Sequence, residues 1–148
     1  MINLQLNHEQ IINFSKNSAR CTCPGYYRWR AALALGRLGS EEAIEPLVKA
    51  LTTAKESSVR WRAALALGRL GSEKAIEPLV KALTTAEESY VRGAAAHMLG
   101  RMGSDRAIET LKQALEDEGE YAGELVKDAA FAALEKISRR NSIRITRS

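Results

Sequence analysis

An all-α solenoid of stacked helix pairs is the fold this sequence predicts, and three observations predict it. The first is repetition. Residues 28–59 read RWRAALALGRLGSEEAIEPLVKALTTAKESSV, and residues 60–91 repeat them with three differences in 32 positions: Glu42/Lys74, Lys55/Glu87 and Ser58/Tyr90. A looser copy starts at Arg92 and a half-copy at Lys127. Self-similarity at this period is the mark of an array of small supersecondary units, each burying its apolar face against the next. The second is composition. Aromatics make up only 5% of the chain, and its apolar residues are mostly Ala and Leu, both good helix formers. The third is periodicity within the unit, which follows 3.6 residues per turn twice, with a glycine between the two stretches.

The elements follow in chain order. Residues 1–27 form an N-terminal cap and loop, with Asn7 positioned to cap a helix over residues 8–18 that carries Ile11, Ile12 and Phe14. The array then divides into 28–59, 60–91, 92–126 and a half-unit 127–137. In the second copy, the first helix runs from Val59 to Leu70. Val59, Ala63, Ala66, Leu67 and Leu70 share a face, and Trp61 and Leu65 widen it. Ala64 and Gly68 leave a groove of small residues where a neighbour can approach closely, while Arg62 and Arg69 occupy the wet sector. Gly71 supplies a left-handed stop, and Ser72 is the expected cap of a second helix over Glu73 to Leu83. That helix buries Ile76, Leu79, Val80 and Leu83, and turns Glu73, Glu77 and Lys81 outward, with Glu77 and Lys81 spaced as an i,i+4 ion pair. Pro78 lies past the expected first turn, so a bend is predicted there. A linker from Thr84 to Ser89 joins the next unit. The last linker, Glu116 to Leu125, is three residues longer and acidic. A helix from about Val126 to Ile137 closes the array, which is expected to contain no strand. Residues 138–148 read as a basic, disordered tail.

Charge and composition narrow the function classes. The net charge is +4, and the tail alone holds Arg139, Arg140, Arg144 and Arg147 with no acid, so residues 1–137 are formally neutral. Nucleic-acid binding is therefore not expected. No run of about 18 apolar residues exists to span a membrane. The start Met1-Ile2-Asn3-Leu4 lacks the pattern of a secretory signal, so a cytoplasmic location is the expectation.

The pattern V-R-W-R-A-A-L-A-L-G-R-L-G-S-E-x-A-I-E-P-L-V-K-A-L, over about residues 28–137, resembles the short HEAT-like repeat named after phycobilin lyases. The resemblance implies a right-handed α-solenoid, with first helices on the convex side and second helices lining the concave side. Its members include bilin lyase subunits and phycobilisome-degradation factors, so it also implies an alternative: a lyase or chaperone component holding an open-chain tetrapyrrole, with a phycobiliprotein as partner. The run Tyr26-Tyr27-Arg28-Trp29 is similar to aromatic helix starts in lyase-type members.

Candidate chemistry is sparse. His8 and His97 are far apart, and neither belongs to a His-Glu pair of the kind found in metal-dependent hydroxylases built on related repeats. His97 replaces Leu33 and Leu65, and reads as a polar substitution in a less buried terminal unit. Cys21 and Cys23 read as reduced thiols in the loop before the first full unit, since a zinc site needs about four ligands and no such set is visible. No residue set supports hydrolysis, phosphoryl transfer or redox catalysis; no cofactor or metal is expected, and any activity would be of the bilin-attaching lyase type. Trp29 and Trp61 fall at one repeat position. They either pack between neighbouring first helices or form an exposed aromatic strip for a partner or a second copy of the chain. The ladders Arg28/Arg60/Arg92 and Arg37/Arg69/Arg101 are also periodic, and a structural role is preferred for the second because it lies at helix C-termini. The resulting expectation is a non-catalytic scaffold that binds another protein along Glu45/Lys49, Glu77/Lys81 and Glu109/Gln113, taken as the concave face. Trp29, Trp61, Tyr26, Tyr27 and Tyr90 are candidate aromatic contacts.

Overall fold

The computed structural model describes residues 41–141 and, before them, Ala34, Gly36, Arg37 and Gly39. The expected N-terminal helix, Tyr26, Tyr27, Trp29, both cysteines, His8 and residues 142–148 lie outside the described residues.

Second helices of three successive units are α1 (Ile44–Thr53), α3 (Ile76–Thr85) and α5 (Ile108–Gln113). First helices of the second, third and last units are α2 (Ser57–Leu70), α4 (Ser89–Met102) and α6 (Val126–Asn141). The chain thus alternates between two rows, and the core lies between them. Apart from Ile137, its largest fully buried side chains fall into three ladders at equivalent repeat positions: Leu47/Leu79/Leu111, Leu67/Leu99/Leu134 and Val59/Val91/Val126. No polar or charged residue is buried among the described residues. The repeat therefore fixes the core directly, because the same side chain meets the same neighbours one unit later. Ile76 and Leu83 are buried as expected, whereas Val80 is only half-buried.

Gly71 and Gly103 end α2 and α4 in the left-handed conformation, with φ of 67° and 72°. The start of the following helix differs from expectation. Glu73–Ala75 form a 3-10 turn, and α3 begins only at Ile76. The Ser72 hydroxyl caps nothing. Its backbone carbonyl accepts the Ala75 N–H at 2.9 Å instead. The later start places Pro78 third in the helix, within the turn whose N–H groups have no intrahelical acceptor, so the predicted bend has no cause. Pro46 stands in the same place in α1.

The last linker also departs from expectation. A 3-10 turn (Ala114–Glu116) leads into a two-residue antiparallel hairpin, β1 (Glu120–Tyr121) and β2 (Glu124–Leu125), where no strand was expected. The turn of the hairpin holds Ala122 at φ 52° and Gly123 at φ 84°. The extra three residues make it, and the hairpin closes onto α6 through Val126 N–H to the Gly119 carbonyl at 2.7 Å. At the other end, α6 continues through Ser138 to Asn141, residues expected to be disordered. They are held because the Arg140 guanidinium donates to the carbonyls of Arg101 and Met102 at 3.3 and 3.2 Å, the open end of α4, and Asn141 bonds Asp105.

Candidate binding faces

The two rows pack differently. Adjacent first helices press closely together, while adjacent second helices touch much less. The cause is a glycine in each of the first three first helices. A Cβ on Gly36 would lie 2.7 Å from the Ala66 Cβ, and one on Gly100 would lie 2.5 Å from the Ala133 Cα. A Cβ on Gly68 would collide with Met98. The second helices carry Val48 and Val80 and have no such notch.

Glu45, Lys49, Glu77, Lys81, Glu109 and Gln113, the predicted binding residues, are all exposed on the second-helix row. The structure brings them together as a surface of mixed sign. Glu77 and Lys81 do not pair, and the ion pair formed there is Lys112 with Glu109 at 2.9 Å. Lys81 also borders a groove of about 390 Å³ between units, shared with Thr52, Pro78 and Thr85.

The first-helix row presents a different surface. Trp61 and Leu65 are half-buried there, with the Arg62 guanidinium carbon 5.0 Å above the indole centroid. The Trp61 Nε1 is buried without an acceptor. Tyr90 is half-buried at the start of α4. At the Trp61 position α4 has Gly93, and the slot is filled from elsewhere: Tyr121 of the hairpin lies directly over Gly93, where any Cβ would strike its ring. His97 is exposed at the Leu65 position and lines a groove of about 530 Å³ with Gly100, Arg101, Lys136, Arg139 and Arg140. Partial burial of the imidazole, then repulsion from Lys136 and Arg101, holds its pKa below the usual value, with Glu124 pulling weakly the other way.

The two arginine ladders have separate roles. Arg60 donates to the Ala54 and Lys55 carbonyls at 2.6 and 3.2 Å and pairs with Glu88 of the next linker. Arg92 repeats this with the Ala86 and Glu87 carbonyls at 3.0 and 2.7 Å, and pairs with Asp117 at 2.5 and 2.9 Å. The hydrogen bond from Arg92 holds the Asp117 carboxyl below the ordinary carboxylate range. Desolvation opposes this, and the Gly119 N–H reinforces it. These residues clasp linker to linker. Arg69 and Arg101 stand in the last turns of α2 and α4, the helix C-termini expected for them, and with Arg37 they are exposed and have no ion-pair or hydrogen-bonding side-chain partner among the described residues.

The model of HEAT repeats matches residues 19–100 and 75–135. The chain belongs to the HEAT-repeat family. No curated protein matches it. Among solved structures it is similar to the complex of CpcE and CpcF of phycocyanin lyase from Nostoc sp. PCC7120, at 26% identity and a TM-score of 0.75, covering 96% of this chain and 57% of that one. It is also similar to human deoxyhypusine hydroxylase in complex with glycerol, at 22% identity and a TM-score of 0.74, covering 94% of this chain and 48% of that one. The chain thus spans about half the length of these structures. The likeness to the hydroxylase is one of fold, and among the described residues no cluster of three or more His, Cys, Asp or Glu could hold a metal. No described helix is long and apolar enough to cross a membrane.

Within the HEAT units, sequence reasoning singled out Trp61 and Tyr90 and gave the helix-terminal arginines a structural role, but it did not foresee that Arg60 and Arg92 clasp the linkers. It also left out His97 and Lys136 as members of one groove. The usable signal was spacing. Gly68 to Arg69 and Gly100 to Arg101 put a cation immediately after each close-approach glycine, and Lys136 occupies the same place in the last unit.

Proposed function

We propose that this HEAT-repeat chain is a non-catalytic scaffold that holds a segment of another protein against its first-helix face. The observation that carries this reading is the pairing of half-buried apolar groups with unpartnered cations on that face: Trp61 and Leu65 offer apolar contact area, and Arg69 and Arg101 are already free to pair. The second-helix surface, with Glu77 and Lys81, is the competing location. A photo-crosslinking residue introduced at Leu65 or at Lys81 in the native host separates the two. Adducts with a protein partner are expected from the Leu65 position, and adducts only from Lys81 would transfer the site to the second-helix row.

A second reading rests on the structural likeness to the CpcE–CpcF complex. In it the chain serves bilin attachment or phycobilisome handling and binds a tetrapyrrole on the same face. Adding bilin and recording the visible absorption spectrum distinguishes them, since a bound bilin would shift and sharpen its long-wavelength band and a scaffold without a bilin site would leave it unchanged.

A further inference from the structure

We infer that the first-helix face selects an extended, acidic protein segment with carboxylates at every third residue, each meeting one cation of the ladder Arg37–Arg69–Arg101–Lys136. This rests on the scaffold reading and adds the chemistry of the partner. The four cations follow one another at a single repeat position on consecutive first helices, and all are exposed. None has an ion-pair or hydrogen-bonding side-chain partner among the described residues. The two complete first helices between them, α2 and α4, contain no Asp or Glu. At the end of the ladder, Arg101 and Lys136 share the 530 Å³ groove with His97, Arg139 and Arg140, and no acidic side chain lines it. Acids near that end are Glu124, which acts on His97, Asp105, which bonds Asn141, and Asp128 and Glu135 on α6.

The spacing decides what kind of anion fits. Packed helices lie about 8–10 Å apart, so the ladder offers one cation at about that interval. A polyproline-type extended chain advances about 3.1 Å per residue with three residues per turn, so every third side chain advances about 9 Å and returns to the ladder. Nucleic-acid phosphates are more closely spaced than this, and they attract proteins through a strongly positive field. Residues 1–137 are formally neutral, which removes that attraction. Trp61 and Leu65, beside the ladder, suit an intervening apolar residue of a peptide.

The test uses the full chain and a fluorescein-labelled twelve-residue peptide with Glu at positions 1, 4, 7 and 10 in a Ser/Thr/Pro background. Its isomer carries the same four Glu in one block. Fluorescence anisotropy is expected to show the spaced peptide binding at least tenfold tighter than the blocked one, weakening as salt rises. The triple variant Arg69→Ser, Arg101→Ser and Lys136→Ser should lose at least tenfold in affinity with an unchanged melting curve. A control that removes the same charge from the second-helix row, Lys49→Ser, Lys81→Ser and Lys112→Ser, should bind as the natural chain does. Equal binding of the two peptides overturns the spacing argument, and equal loss in both triple variants reduces it to net charge. Tighter binding of a single-stranded thymidine oligonucleotide of equal charge would make the face a nucleic-acid surface. If crosslinks at Leu65 persist while no acidic peptide binds, the scaffold reading stands and only the partner's acidity is withdrawn.

Discussion

The third unit replaces the repeat's tryptophan with Gly93 and fills the space with Tyr121 from the hairpin, which yields a sharp energetic prediction. The Tyr121 ring is half-buried against the core and over Gly93. Truncating a buried large aromatic costs about 3–5 kcal/mol, so Tyr121→Ala, at partial burial, should cost about 2 kcal/mol. Gly93→Trp restores the repeat residue but drives an indole into the tyrosine, and overpacking of this kind costs about 1–3 kcal/mol. Were the two sites independent, the double variant would lose about 4 kcal/mol. With the slot emptied of tyrosine, however, the indole can lie where Trp61 lies in the preceding unit. The double variant should then lose about 1 kcal/mol, a favourable coupling of about 3 kcal/mol, which is at the upper end for residues in contact. Urea denaturation followed by far-ultraviolet circular dichroism measures all four corners of the cycle, with a constant m-value as the check on two-state behaviour. Additive losses would refute the idea that tyrosine and tryptophan compete for one site.

Three further outcomes are expected. Leu79 and Leu111 are both fully buried, but Leu79 lies between two complete units. Leu79→Ala should therefore cost about 2–5 kcal/mol and at least as much as Leu111→Ala, the order being read from denaturant midpoints. Asp117 has its folded pKa depressed by Arg92, so its contribution to stability is present above the ordinary carboxylate value of about 4 and is lost as pH falls through the lowered value. The stability gap between the natural chain and the Asp117→Asn variant should hold from neutral pH down to about 4 and close below it, as followed by thermal melts across pH. The His97 imidazole should titrate below its usual value in a proton NMR titration, assigned with a His97→Gln variant, and Lys136→Ser should move the midpoint upward.

The parts of the fold that repeat were legible in the sequence, and the local departures from the repeat, at helix starts and in the last linker, were not. Leu47 and Leu79 occupy the same place in near-identical strings, so their equivalence as core residues needed no coordinates. The groove of small residues at Ala64 and Gly68 was also readable, and Met98 lies where a Cβ on Gly68 would be. Ser72 and Pro78 were misplaced because helical periodicity does not mark where a helix begins. A Ser before an acidic residue signals a cap, but the intervening 3-10 turn shifts the helix start by three residues, and nothing in the periodicity marks that shift. As for the site, Trp61 and Tyr90 were found because aromatics are rare here, while Arg60 and Arg69 are indistinguishable as letters. Only the distances from Arg60 to two carbonyls and its contact with Glu88 separate a clasp from a free cation.

The near-duplication of residues 28–59 and 60–91 creates an ambiguity that the Gly93–Tyr121 fit resolves. With only three differences in 32 positions, a chain whose second unit took the third unit's seat against α6 would form much the same apolar contacts, and two chains could exchange units with little loss. Such a slipped register would bring Trp61 to the hairpin in place of Gly93. The tyrosine would then have no socket, and Asp117 would be offered an arginine on a misplaced helix. The single glycine thus works as a key that admits one partner, giving the array a direction and a definite end. Sequence drift at Gly93 would be expected to show itself first as dimers and ladders of exchanged units, before any loss of helix.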